Sequence, residues 1–535
     1  MLAYGDRRTS SYDDLLETLT SHIKREPEAL SVKTLNQNVV EAEYAVRGAI
    51  AIKSAAYQQQ LKEGKGDDLP FDKKPITFFR QVLSLCEYRE LLDNELAAQI
   101  YPPDAIERAR QYLDGIPGGV GAYSESKGAV VLRKQVAQGI EARDGHPCDI
   151  DNLWLTDGAS PAVHYCMKSL LRNEHDCILC PIPQYPLYSA TIKLYGGTLL
   201  PYYLEESEGW QTTLDNLRVQ VGTARRQGKQ VRAMVVINPG NPTGQVLDRD
   251  NQELLVRFCK EEGLVLMADE VYQTNIYAEG KSFVSFKKVL MEMGDDCTTS
   301  VPLVSMNSIS KGFFGECGRR GGYFECINFP KEVKDQLYKL SSISLCPNLS
   351  GQICMALTMN PPKPGEPSYE LFAKERDDIL SSLKRRAVLV KETFDSLEGV
   401  SCTTGESFVC LGQAGLVLSA AHTSHTLSLN SSPAPMLPAA VEGSMYAFPR
   451  LTIPPAAVKA AADQDKQPDF VYCMELLDKT GIVTVPGSGF GQEKGTFHVR
   501  TTILPPESDM QAVSDKFAEF HKGFMAKYKN QNGSK

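Results

Sequence analysis

The sequence lacks any apolar run approaching the roughly 18 residues that cross a bilayer, so no membrane-spanning helix is expected. It also lacks a basic excess: 57 Lys and Arg stand against 66 Asp and Glu, a formal net charge of −9. Nucleic-acid binders carry a basic footprint, and the acidic N-terminal stretches offer no basic helix-turn-helix. A nucleic-acid partner is therefore not expected. The opening "MLAYGDRRTSSYDDLLETL" has no charged segment followed by an apolar one, so a secretory leader is not expected. Its arginines and serines suit a transit peptide, but the acidic residues that follow do not. The last residues, "KNQNGSK", are no peroxisomal address. Cytoplasm is the expected compartment, with the mitochondrion as the alternative.

Cysteine is not scarce. Fourteen are scattered through well-patterned segments, which favours reduced thiols in a reducing compartment. Cys177 and Cys180 have CxxC spacing, but no second pair accompanies them and they sit in an apolar run. Two buried thiols are expected there, not a metal or redox centre. His422 and His425 form an HxxH without further ligands, and no metal site is expected.

The chain has 535 residues, 42% hydrophobic and 23% charged, long enough for several domains or one large enzyme. Helices are expected over 10–30, in the later part of 39–64, over 75–98 and from about 101–104 onward. Between 150 and 330 short apolar runs recur: "NLWLTDG", "CILCPIP", "GTLLPYYL", "RAMVVINP", "GLVLMADE" and "VPLVSMNS". Helical stretches separate most of them. That alternation predicts an α/β fold whose largely parallel sheet is covered on both faces. Ligands of such sheets bind beyond the C-terminal ends of the strands. Here each run leads into a polar or Gly-rich turn: "DGAS", "PQYP", "NPGNPTG", "DEVY" and "SISKG". A long charged helix over 368–398 leads to a second domain. The Ser-, Ala- and Pro-rich stretch 405–440 reads as a disordered insertion.

The turns carry a consistent chemistry. "TDGASPAVH" ends a strand and opens a helix whose free N–H groups attract phosphate, with the Ser160 hydroxyl beside them. "NPGNPTG" presents Asn241, and Tyr272 supplies a phenol. Asp269 ends an apolar strand, where a carboxylate is costly unless paired, so a cationic partner is expected. Lys311 sits in "SISKGFFGECGRRGGY". Burial or cationic neighbours lower a lysine pKa, and a deprotonated lysine forms Schiff bases with carbonyls. Ser308, Arg319 and Arg320 form an anion site next to it. A phosphate cradle, a buried carboxylate, a phenol with an amide and an amine nucleophile together fit pyridoxal 5'-phosphate, whose pyridinium needs an Asp partner.

The motifs "AEYAVRG", "PITFFRQVL", "GAYSESKG", "PIPQYPLYSAT", "INPGNPTGQVL", "DEVYQTNIY", "SKGFFGECGRRGGY" and "VPGSGFGQEKGTFHVRTTILPP" occur in this order. In them the chain, from about residue 30 to 525, resembles the class I pyridoxal-phosphate-dependent aminotransferases of fold type I, most of all their alanine aminotransferase branch. The resemblance implies a large domain (101–365) with a mixed, mainly parallel sheet sandwiched by helices. It implies a smaller α/β domain built from both chain ends, 1–100 and 366–535, and a homodimer with shared active sites. By motif position Lys311 would hold the cofactor as a Schiff base and then move protons. Asp269 would bind the ring nitrogen, and Asn241 and Tyr272 the phenolic oxygen, while Tyr185 would stack on the ring. Gly158, Ala159, Ser160, Ser308 and Arg320 would bind the phosphate, and Tyr123 would reach the phosphate of the neighbouring subunit. Arg500, with Asn241, would grip the substrate α-carboxylate. Spacing from the lysine selects Arg320; Arg319 stands where this branch usually has an aromatic residue. Arg47 is a candidate reader of the distal carboxylate.

The implied reaction is ping-pong transamination between L-alanine and 2-oxoglutarate, giving pyruvate and L-glutamate. The alternatives are a glutamate:glyoxylate aminotransferase, or a cofactor-binding protein with impaired turnover. The last follows from a departure: the branch has an "NIGNPQ"-type segment and "LGQ" where Phe71-Asp72 runs directly into Lys73-Lys74-Pro75. The 405–440 stretch is a second departure. Both look like gene-model faults, and a transcript crossing each junction unchanged would remove that explanation.

Overall fold

The computed structural model describes residues 31–44, 48–55, 75–402 and 441–529. The helix expected over 10–30, Arg47, the junction at 71–74 and the stretch 405–440 lie outside the described residues.

Seven strands form the central sheet: β1 (Leu153–Thr156), β2 (Asp176–Ile182), β3 (Thr198–Tyr203), β4 (Gln230–Ile237), β5 (Val265–Asp269), β6 (Leu303–Ser308) and β7 (Gly322–Ile327). Their order is β1-β7-β6-β5-β4-β2-β3. Pairings among β2, β3, β4, β5 and β6 are parallel, and β7 runs antiparallel to β1 and β6. The sheet is thus mixed and mainly parallel, as expected. All six apolar runs became strands. The seventh strand was not anticipated, because its glycines read as the end of a turn.

Strand side chains alternate between two apolar layers. Leu266 and Ala268 of β5 pack on one face, with Leu255, Phe258 and Phe286. Met267 packs on the other, with Val163, Tyr188 and Ile192. Parallel strands buried on both sides read as continuous apolar text, which is why these runs were visible in the sequence.

One helix expectation is corrected. The one over 75–98 is broken: a helix spans Thr77–Glu87, a 3-10 turn follows at Arg89–Asp93, and a short helix covers Ala97–Ile100. Asn94 explains the break. Its side chain accepts from the Leu96 amide at 2.9 Å and its carbonyl from the Ala97 amide at 3.0 Å, a local alternative to helical bonding. The helix expected in the later part of 39–64 is present where that part is described, at 49–55, preceded by a short helix at Gln37–Val40.

Past the helix Tyr369–Asp395, the small strands are β8 (Val400–Ser401), β9 (Tyr446–Ala447), β10 (Arg450–Leu451), β11 (Val485–Pro486) and β12 (Val499–Thr502). They enclose a separate apolar cluster with Leu383, Phe394, Tyr472, Phe517 and Phe524, joined by Ile50 from the N-terminal side. Among the described residues no helix is long and apolar enough to cross a membrane.

Candidate active site

The C-terminal edge of the sheet gathers the side chains. β1 ends at Thr156, and Gly158 then opens the helix Ala159–Leu170, whose N-terminus no side chain caps. Gly158 has φ +88° and ψ 179°, a conformation essentially restricted to glycine. A Cβ there would lie 2.6 Å from Arg320 Nη2. Glycine therefore lets a guanidinium approach the free amides of Ala159 and Ser160. Arg320 itself sits at φ +52°, where a side chain is uncommon. Its Nη2 donates to the Asp157 carbonyl at 2.7 Å, and its Nη1 to the Cys317 carbonyl at 3.2 Å and to Ser310 Oγ at 3.4 Å. Ser308 Oγ accepts from the Ser310 amide at 3.1 Å. The structure thus groups Gly158, Ala159, Ser160, Ser308 and Arg320 around one helix N-terminus. Arg319, half-buried, is not the arginine that turns to Gly158.

Asp269 ends β5 on the face of Met267, so it points at the helix Leu187–Leu194. Tyr188 meets it there: the Tyr188 hydroxyl donates to Asp269 Oδ2 at 2.8 Å. The expected cation is replaced by a phenol. Asp269 Oδ1 is buried without any hydrogen-bond partner. Burial pushes this carboxyl above its ordinary range, while the Tyr188 bond, the Val271 amide and the nearby Lys311 charge pull it back.

Asn241 links two further groups. Its Nδ2 donates to Tyr272 at 3.4 Å, and its Oδ1 accepts from Arg500 Nη1 at 3.2 Å. Arg500 is buried, with its guanidinium carbon 4.2 Å from the Tyr446 ring centroid and 4.6 Å from that of Phe490. Lys311 Nζ lies 3.3 Å from the Tyr446 hydroxyl and 5.3 Å from the Tyr272 ring centroid. The expectation of a depressed lysine is corrected: burial opposes the ammonium form, but Tyr446 and then Tyr185 and Cys317 outweigh it, and Lys311 stands above its ordinary value. Tyr446 shifts the opposite way. Burial alone would raise it, and the charges of Lys311 and Arg500 hold it below the usual phenol value.

Tyr185 lies half-buried near this group, its hydroxyl 2.6 Å from that of Tyr44. Tyr123 is 81% exposed, on the surface rather than among these side chains. The loop after Lys311 is clamped from behind. Arg80 Nη2 donates to both oxygens of the buried Glu316, at 2.7 and 3.0 Å, and Phe79 lies between Phe314 and Phe372. Cys177 and Cys180 are free and buried in β2, as two thiols.

Sequence reasoning missed Tyr44, Tyr188, Tyr446 and Phe490. Tyr188 stands three residues after Tyr185, in the first turn of the helix that Tyr185 precedes. Tyr44 and Phe490 lie inside quoted motifs and Tyr446 outside them, and no local pattern aims any of the three at this group.

A family model described as "Aminotransferase class I and II" matches residues 80–516. The chain is 48% identical over 519 residues to alanine aminotransferase 2 of Panicum miliaceum, covering 94% of this chain and 99% of the relative. It is 47% identical over 512 residues to glutamate–glyoxylate aminotransferase 1 of Arabidopsis thaliana, covering 94% and 98%. Among solved structures, an alanine aminotransferase of Pyrococcus furiosus superposes with a TM-score of 0.66 at 22% identity, covering 91% of this chain and all of that one. At that identity the likeness bears on the fold alone.

Proposed function

Because the chain belongs to the class I and II aminotransferases, we propose that it transfers the amino group of L-alanine to 2-oxoglutarate with pyridoxal 5'-phosphate as cofactor. The observation that carries the cofactor is the unpartnered Oδ1 of Asp269. A buried carboxylate oxygen without a donor is costly, and a pyridinium N–H would satisfy it. The residues around it fit the rest of the molecule. The helix N-terminus with Ser160, Ser308 and Arg320 suits a phosphate, Asn241 and Tyr272 suit a phenolic oxygen, and Lys311 suits an aldehyde. When bound, the cofactor supplies an electron sink and a carbonyl that carries the amino group between substrates.

The roles of the chain's own residues follow from their places. Lys311 is the amine nucleophile and the carrier of protons at the substrate Cα. Asp269 keeps the ring nitrogen protonated. Tyr185 covers the ring. Arg500, held against the rings of Tyr446 and Phe490 and linked to Asn241, is the planar fork for a carboxylate. Tyr123, exposed in the single chain, is the residue we assign to a second copy's phosphate site, so the working unit is a homodimer.

The relatives favour alanine and glutamate as amino donors, and one of them carries glyoxylate in its name. A glutamate:glyoxylate exchange is therefore the second reading. The test starts from protein loaded with pyridoxal phosphate, whose yellow absorbance should be absent in Lys311→Ala. L-Alanine without an acceptor should bleach that band and release pyruvate. A panel of 2-oxo acids then separates the readings by whether 2-oxoglutarate or glyoxylate restores the band faster. A yellow band that no amino acid bleaches would refute transamination and leave a cofactor-binding protein.

A further inference from the structure

We propose that Tyr446 is a further catalytic residue, a phenol that takes a proton from the Lys311 amine and returns it; this rests on the aminotransferase reading. The placement comes from two short strands. β9 pairs with β12 so that Tyr446 faces Thr502 and Ala447 faces Thr501. Arg500 lies two residues before Thr502, hence on the same face as Tyr446. One strand pair thus sets a phenol and a guanidinium side by side, ring to fork.

The approach to β9 is held at every step. Glu442 accepts from the Val246 amide at 2.9 Å and from Lys281 Nζ at 2.6 Å. The Gly443 amide donates to the Gly244 carbonyl at 2.8 Å, and the Ser444 amide to the Asn275 carbonyl at 2.9 Å. These partners belong to the turn that carries Asn241 and to the segment after Tyr272. Asn275 also accepts from the Gly312 amide at 2.9 Å, one residue past Lys311. Tyr446 is therefore locked to the same frame as the lysine, which explains a hydroxyl 3.3 Å from Nζ.

A lysine must be neutral to attack a carbonyl or to take a proton from carbon. In this pocket Lys311 stands above its ordinary value, so the bare ammonium would be a poor starting point. The groups facing the pair are Tyr272 from the segment after β5, Arg500 from β12, Tyr185 beyond β2, and Cys317 from the loop after β6; the carboxyl of Asp269 acts on Tyr272 and feels the Lys311 charge. Arg500 and the lysine itself favour the phenolate of Tyr446, giving the proton an acceptor within hydrogen-bond reach. In the transfer the N–H bonding pair stays on nitrogen and the proton bonds to the phenolate oxygen. Ammonium and phenolate become amine and phenol, with no change in total charge.

The Tyr446→Phe variant keeps the ring against Arg500 and removes only the hydroxyl. In cofactor-free protein, acetylation of Lys311 by acetic anhydride, read by mass spectrometry across pH, should show its midpoint moved to lower pH in the variant. In loaded enzyme kcat should fall about a hundredfold, the scale of a lost acid–base group, while the KM for L-alanine stays unchanged. An unmoved midpoint overturns the proposal. So does a raised KM with unchanged kcat, which would make Tyr446 only a wall for Arg500. A wild-type protein that gives no yellow band with pyridoxal phosphate sinks the aminotransferase reading instead, and the labelling midpoint still decides the proton link.

Discussion

Tyr188→Phe removes one oxygen from a fully buried ring and leaves its packing in place. That oxygen is the side-chain donor to Asp269, at 2.8 Å. A hydrogen bond to a charged acceptor contributes about 1.5–3 kcal/mol net, and one to a neutral acceptor about 1 kcal/mol. The difference, roughly 0.5–2 kcal/mol, corresponds to about one pKa unit by which Asp269 rises in the variant. The direction with pH follows. Asp269 already lies above its unfolded value in the folded protein, so its contribution is fully present in acid and is lost as pH rises through the folded value. In the variant that loss is larger by the extra unit. Urea unfolding of the cofactor-free protein should therefore show a penalty of about 1 kcal/mol near pH 4, growing to about 1.5–3 kcal/mol by pH 8. The acid limb of cofactor affinity should move up by the same unit. A penalty that is the same at both ends of the range would refute the reasoning, because Tyr188 would then not be holding an ionised carboxylate.

Two further perturbations test other parts of the frame. Gly158→Ala forces a side chain into a glycine-only conformation and toward Arg320 Nη2; we expect a loss of about 1–3 kcal/mol in stability and a weaker pyridoxal phosphate titration. Lys287 and Glu325 form an ion pair at 2.7 Å with side chains 1% and 3% exposed. Lys287→Met should cost about 3–5 kcal/mol in urea unfolding, and Lys287→Met with Glu325→Leu should recover most of it, since the first change alone strands a buried charge.

The sheet was largely legible because parallel strands buried on both faces leave continuous apolar text, and because the turns at their ends carry the polar residues. Asp269, Asn241 and Lys311 could be named for that reason: each lies within a few residues of a strand end. β7 escaped notice because Gly321 just before it and Gly322, its first residue, serve close approaches. A Cβ on Gly322 would lie 2.7 Å from the Gly158 carbonyl carbon, and the sequence shows only a pair of glycines in a turn. Tyr188 and Tyr446 were not legible as site residues. One arrives from a helix face and the other from a strand far along the chain, and both placements depend on tertiary packing. The protonation of Lys311 was misread for the same reason, since a pKa depends on neighbours that the sequence does not locate. Arg320 was selected by spacing; what distinguishes it physically from Arg319 is a left-handed backbone that turns its guanidinium toward Gly158.

The two departures from the family pattern bear unequally on this frame. The stretch 405–440 leaves the described chain after Cys402 and rejoins it before Val441, both buried. On one side Val400 and Ser401 pair with Leu451 and Arg450; on the other, Glu442 and Gly443 are bonded to the turn bearing Asn241. Lengthening a connection between fixed ends costs only about 0.6 kcal/mol per doubling, less than those anchors contribute together, so extra residues there leave Tyr446 and Arg500 in register. The junction at 71–74 is different, because it precedes the helix Thr77–Glu87. That helix is held independently: Glu375 accepts from the Thr77 amide at 2.9 Å, Arg80 binds Glu316, and Phe79 packs on Phe314. The clamp on the Lys311 loop therefore does not depend on what stands before residue 75. The cofactor cradle should survive a genuine deletion there better than turnover does, and a chain that bleaches readily with L-alanine would refute that ordering.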